Sequence, residues 1–158
     1  DTIALKINEK FTSEKLQSFK TINGATQKSE ALYKVLMREV FTELDLLYEE
    51  AGSQQPIDFR LENGVKIEMK KTGSYKIMFN DSYPLKDVNY VILHTGNKKH
   101  EACVLIKSGK ELISDKVREE AREYKELLRK NDMKDLKKYL TTYTRPNFQL
   151  DIRRFFLF

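Results

Sequence analysis

Apolar residues recur along this chain at two periods, and the switches between them divide it into elements. A leading segment, 1–22, carries one predicted helix near Ser13 to Thr21, broken by Asn23-Gly24. From Gln27 to Ala51 the helical period holds: Tyr33, Met37, Val40, Leu44 and Leu47 recur at three and four, and Gly52 is expected to end the helix. The period then becomes two. Ile57, Phe59 and Leu61 alternate with polar residues, as do Val65, Ile67 and Met69. A third strand is expected over Ser74 to Phe79. Val88 to Thr95 and Ala102 to Lys107 are apolar nearly throughout, as strands buried on both faces are. The helical period returns over Lys110 to Lys130, a shorter helix is expected over Met133 to Tyr139, and an extended end over Phe148 to Phe158. This order predicts a single α/β or α+β domain over 1–158, with a central mixed sheet of about five strands flanked by helices.

Register can be tested at the first hairpin. A two-residue loop would pair Leu61 with Lys66 and mix apolar with polar on one face. A three-residue loop, Glu62-Asn63-Gly64, pairs Leu61 with Val65, Phe59 with Ile67 and Ile57 with Met69, so every apolar residue agrees. That loop class ends in a left-handed residue, which Gly64 supplies. The same register sets Asp58 opposite Glu68 on the polar face, with Lys70 two residues further along it. Like charges directly opposed repel. A hard divalent cation such as Mg²⁺ would relieve them, because it takes carboxylate oxygens. A lysine beside that cation can stabilise an attacking hydroxide or charge on phosphorus.

Charge changes the picture next. The net charge is +5, yet residues 1–58 carry −3 and the remaining hundred carry +8. A basic majority suits a polyanion such as nucleic acid, since neutralised phosphates release counterions. With 40% hydrophobic residues, 6 Gly and 3 Pro, disorder and collagen-like chains are excluded. No apolar run nears the ~18 residues of a membrane span and no start reads as a signal peptide. The single cysteine, Cys103, lies in an apolar run and reads as a thiol of a reducing, cytoplasmic setting.

These residues carry a family resemblance. Pro56-Ile57-Asp58 followed by Glu68-Met69-Lys70 on the next strand resembles the PD-(D/E)xK nuclease signature, in particular that of type II restriction endonucleases. Over about 25–107 the approach from Gly52 to Asp58 and the continuation Lys70-Lys71-Thr72 are similar too; Ile57 separates Pro56 from Asp58, a departure from the pattern. The resemblance implies a restriction-endonuclease-like core in which Asp58 and Glu68 bind Mg²⁺ and Lys70 assists the attacking water. Its substrate would be double-stranded DNA, cut by a homodimer. A Holliday-junction resolvase, or a DNA-binding module with an inactive nuclease core, is the alternative. Cap-snatching RNA endonucleases place a His ahead of the Asp, whereas His94 and His100 both follow it.

Acid-x-Lys triplets are common in a chain with 34% charge, and this one has four. Glu123-x-Lys125, Asp132-x-Lys134 and Asp135-x-Lys137 fall on expected helices, where residues two apart diverge; only Glu68-x-Lys70 lies on a strand. Glu30, in line with Tyr33 and Met37, is a candidate further metal ligand or a first-turn acid favouring the helix dipole. Lys71, Lys76 and Arg60, with Asn80 and Ser82 on the loop after the third strand, are candidate DNA contacts. The two histidines read as structural. The Phe-rich C-terminal segment reads as core edge or dimer contact, and the apolar face of Gln27–Ala51 is the other candidate interface.

Overall fold

A computed structural model of the protein describes residues 1–20, 26–52, 57–80, 82–130 and 147–156. Three helices lead: α1 (Thr2–Lys10), α2 (Ser13–Ser18) and α3 (Thr26–Glu43). Strands β1 (Tyr48–Glu50), β2 (Phe59–Leu61), β3 (Lys66–Thr72), β4 (Lys76–Asn80), β5 (Val88–His94) and β6 (Cys103–Ser108) follow. Helices α4 (Gly109–Leu112) and α5 (Asp115–Lys130), strand β7 (Asn147–Asp151) and a 3-10 turn (Arg153–Phe155) complete the order. The main sheet has the order β1-β2-β3-β5-β6, with β3 and β5 parallel and the other neighbours antiparallel. The fold is therefore mixed α/β with a central five-stranded sheet flanked by helices.

Alternation along the strands gives this sheet two buried faces. Ile67, Met69, Val91 and Leu93 face the leading helices, packing with Ile7, Leu16, Tyr33, Met37, Val40 and Phe41. Val88, Tyr90 and Ile92 face the other way, against Ile77 and Phe79 of β4, Leu150 of β7, Ile152, and Leu112 of α4. Each fully buried side chain of this size contributes ~1.5–3 kcal/mol. The face of α3 read above as a dimer interface is thus spent on the chain's own sheet; Leu32 and Val35 remain exposed on its other side. Phe148, Phe155 and Phe156 pack against the second core, which is the core-edge alternative for the C-terminal segment.

Several boundaries differ from those the sequence predicts. The first helix α1 was not expected; Ile3, Ile7 and Phe11 lie four apart and seat it on α3, where Lys10 pairs with Glu43 at 2.7 Å. The long helix ends at Glu43, not Ala51. Asp45 turns left-handed with φ 54°, Leu46 N–H donates to the Phe41 carbonyl and Asp45 N–H to that of Thr42. That is a Schellman stop, built on an Asp where Gly is usual. The freed residues form β1, paired with β2. The expected third strand, β4, lies outside the main sheet and pairs with β7 instead, Lys76 facing Asp151 and Phe79 facing Phe148. The helix expected over 110–130 is two, because Ser108 and Glu111 form a capping box for α4 and Ser114 caps the start of α5. The helix expected over 133–139 lies outside the described residues.

The hairpin register is the one derived above. Phe59 faces Ile67 and Arg60 faces Lys66, Leu61 N–H donates to Val65 at 2.8 Å, and Gly64 closes the loop with φ 91°. The ladder stops one residue short of the site, however. Strand β2 begins at Phe59 rather than Ile57, and Asp58 N–H donates at 2.9 Å to the carbonyl of Ile67, the residue already opposite Phe59. Two residues against one is a bulge, and it turns Asp58 out of its expected place directly across from Glu68.

Candidate active site

The bulge decides what the Asp58 carboxylate does. Its Oδ2 accepts the Met69 N–H at 2.7 Å, standing in for a strand carbonyl, while its Oδ1 lies 3.2 Å from Lys34 Nζ on α3. The backbone of Asp58 is gripped on both sides, because its carbonyl also accepts from Ala51 N–H. Only 14% of the side chain is exposed. The carboxylate is therefore fixed by main chain on one edge and by an ammonium on the other.

Glu68 sits mid-strand on β3, level with Tyr90 of β5. Its side chain is 16% exposed, and burial pushes the carboxyl up to about 8, with the negative charge of Asp58 adding to the rise and Lys70 and Lys34 opposing it. The two acids thus sense each other electrically without facing each other in the ladder. Lys70 follows on the same strand face. Its Nζ lies 3.7 Å from Glu68 Oε1, donates to the Met78 carbonyl at 3.3 Å, and rests 4.8 Å over the Phe79 ring. Strand β4 therefore aims this lysine, and the alternation that placed Lys70 beside Glu68 in the sequence holds.

Glu30 reaches the site through an intermediary. Its Oε1 is 2.9 Å from Lys34 Nζ, so a single ammonium joins Glu30 to Asp58. Tyr33, between them on the helix, is buried; burial first, then the charges of Glu30, Asp58 and Glu68, hold its phenol well above its usual range. Sequence reasoning placed Tyr33 only in the core and did not single out Lys34. The available signal was spacing, since Glu30 and Lys34 share a helix face at i and i+4.

Comparison with family models, with curated proteins and with solved structures finds no match to this chain.

The residues expected to contact DNA do not form one surface. Lys71 points with Ile67 and Met69 toward the helices, where its Nζ donates to the Phe19 carbonyl at 2.9 Å and to Ser29 Oγ at 2.7 Å; burial pushes its ammonium down. The alternation that aims Lys70 at the site turns Lys71 away from it, as the strand period predicts. Lys76 is exposed on β4 opposite Asp151. Arg60 is exposed between Glu49 and Lys66. Ser82 donates to the Tyr83 carbonyl at 3.3 Å, and Asn80 pairs with Asn147 through the strand backbone. His94 and His100 pack with the rings of Tyr75 and Phe156, and His94 Nδ1 accepts Gly96 N–H at 3.0 Å.

As donors, Asp58 and Glu68 fit Mg²⁺: both are oxygen ligands, and after burial the charge of Asp58 helps to raise Glu68, a repulsion that a divalent ion would relieve. Glu30 would join them only if Lys34 withdrew. Among the described residues no three acidic, histidine or cysteine side chains converge as a ready metal cage. No helix among them is long and apolar enough to cross a membrane.

Proposed function

We propose that this chain is a Mg²⁺-dependent endodeoxyribonuclease, hydrolysing phosphodiester bonds in double-stranded DNA in the manner of type II restriction endonucleases. One observation carries the reading: Glu68 is buried beside the charge of Asp58, with the Lys70 ammonium 3.7 Å from its carboxylate. Asp58 and Glu68 would hold the ion. When bound, Mg²⁺ supplies an acidified water and offsets charge on the phosphate. Lys70, anchored by Met78 and Phe79, would hold its ammonium where the attacking oxygen and the phosphate approach. Asp58, fixed by Met69 N–H, keeps its carboxylate from turning away.

One hydrolytic site per chain makes a two-fold homodimer the simplest agent of double-strand cleavage. Cytoplasmic DNA is the setting this reading requires. The test is incubation of supercoiled plasmid, four-way junction and RNA with the protein, in Mg²⁺ and in EDTA. Discrete linear plasmid bands in Mg²⁺ alone are expected. Junction-only cutting would make it a resolvase, and DNA binding with no cutting of any substrate would overturn the enzymatic reading.

A further inference from the structure

Several lysines among the described residues are paired with acids. Lys6, Lys10, Lys34, Lys66 and Lys70 each lie within 4 Å of a carboxylate. Three that are not, among the described residues, meet at one place. Lys20 follows α2, and Lys98 and Lys99 sit on the turn between β5 and β6; all three are exposed and line a cleft of about 360 Å³ together with Gln17 and Asn97. One acid, Glu101, also lines it, so three lysines face a single carboxylate.

The turn that presents these lysines is cross-linked by Asn97. Asn97 Oδ1 accepts both Lys99 N–H at 2.8 Å and His100 N–H at 2.9 Å, and Asn97 N–H donates to the His100 carbonyl. Gly96 holds φ 89°, and a side chain there would press within 3.2 Å of Ala102 N. Asn97 Nδ2 also donates to the Gly73 carbonyl, and Thr95 N–H to that of Thr72, tying the turn to the end of β3. Lys71 ties the other wall to the same strand through the Phe19 carbonyl. The cleft therefore stands at the end of the strand that carries Glu68 and Lys70.

We propose that this cleft grips the phosphate backbone of duplex DNA, away from the scissile bond. The proposal rests on the nuclease reading above for its partner. It adds to the candidates Lys76 and Arg60 one basic surface, which would position the duplex without reading its sequence.

The test is binding of a fluorescein-labelled DNA duplex, by anisotropy in EDTA, across a salt series. The Lys20→Ala, Lys98→Ala, Lys99→Ala triple variant is compared with Lys86→Ala, Lys110→Ala, Lys116→Ala, which removes equal charge from the other end of the sheet. The cleft triple is expected to flatten the slope of log affinity against log salt by about 2 to 3 and to weaken binding roughly tenfold or more at physiological salt. The control triple is expected to change the slope by under about 1. Equal losses in both triples, or an unchanged slope in the cleft triple, overturn the proposal even if the wild type cuts plasmid. Tighter, equally lysine-dependent binding of duplex RNA overturns the choice of partner. A wild type that binds DNA through these lysines but cuts nothing leaves the cleft standing and removes the nuclease reading. A wild type that neither binds nor cuts removes both.

Discussion

Glu68→Gln is the most informative single change, because it separates what the site costs the fold from what it does. The Glu68 carboxyl is raised from 4.5 to about 8, chiefly by burial and secondly by Asp58. It therefore holds its proton more tightly folded than unfolded. Below pH 4.5 it is protonated in both states and costs nothing; as pH rises toward 8 the unfolded chain gains by ionising while the folded one cannot. At about 1.4 kcal/mol per pK unit, the loss is ~3 kcal/mol at pH 7 and ~5 kcal/mol at alkaline pH. That is a large share of the ~5–15 kcal/mol that holds a domain together.

The assay is urea unfolding of wild type and Glu68→Gln in EDTA at a series of pH values. Acids held low by a cation or a cap, such as Glu43, Glu50, Asp87 and Glu111, lose stability in the opposite direction as pH falls, but they are common to both proteins and cancel in the difference. The variant should gain on the wild type by ~3 kcal/mol between pH 4.5 and 7, while losing cleavage. Asp58→Asn keeps an oxygen for Met69 N–H and should shrink the pH dependence only partly, since burial is the larger cause. A stability difference that does not change with pH would refute the buried-carboxyl argument. Mg²⁺ should rescue the wild type at pH 8 and leave Glu68→Gln unmoved; rescue of both would place the ion elsewhere.

Lys70→Ala should nearly abolish single-turnover cleavage while the chain still folds, with a stability loss confined to pH above 4.5 because Lys70 opposes the rise of Glu68, whereas Lys71→Ala should retain turnover and lose ~1–3 kcal/mol in urea, because Lys71 satisfies Phe19 and Ser29. Equal rate losses would remove the distinction between the two lysines. Lys34→Met removes a charge that opposes the rise of Glu68, so in the same urea series the variant should lose more stability between pH 4.5 and alkaline pH than the wild type, and level off at a higher pH. Gly109→Ala should destabilise by ~3 kcal/mol or more, since the added carbon would lie 1.8 Å from the Leu85 carbonyl oxygen, a backbone atom that cannot swing aside. A wild-type urea midpoint in that variant would contradict the packing of α4 on the loop before β5.

What was legible in the sequence was what lies close in the chain. The hairpin register followed from Phe59 and Leu61 against Val65 and Ile67, with Gly64 at the one left-handed position, and it delivered Glu68 and Lys70 with it. The end of α3 was not legible, because Leu44 and Leu47 continue the helical period across a stop made by Asp45. Strand β4 looked like a member of the main sheet because alternation states that a strand has two faces, not which partner it takes. Its partner β7 lies some seventy residues on, beyond the reach of any local pattern. The bulge at Asp58 was hidden for a similar reason: one extra residue against Ile67 leaves the apolar alternation intact while re-aiming the acid.

That small displacement explains how the fold carries two acids close together. Directly opposed, Asp58 and Glu68 would repel at the shortest distance a sheet permits. Bulged, Asp58 turns one oxygen to Met69 N–H and the other to Lys34, an ammonium delivered from the helix layer. Glu68 remains on the strand and answers the neighbouring charge with a proton, which its raised pKa of about 8 makes available near neutral pH. A lysine and a proton thus do the neutralising that a divalent ion would do. An ion entering between these carboxylates would release the Glu68 proton and compete with Lys34 for Asp58. Its apparent affinity should therefore rise with pH up to about 8 and level off above it.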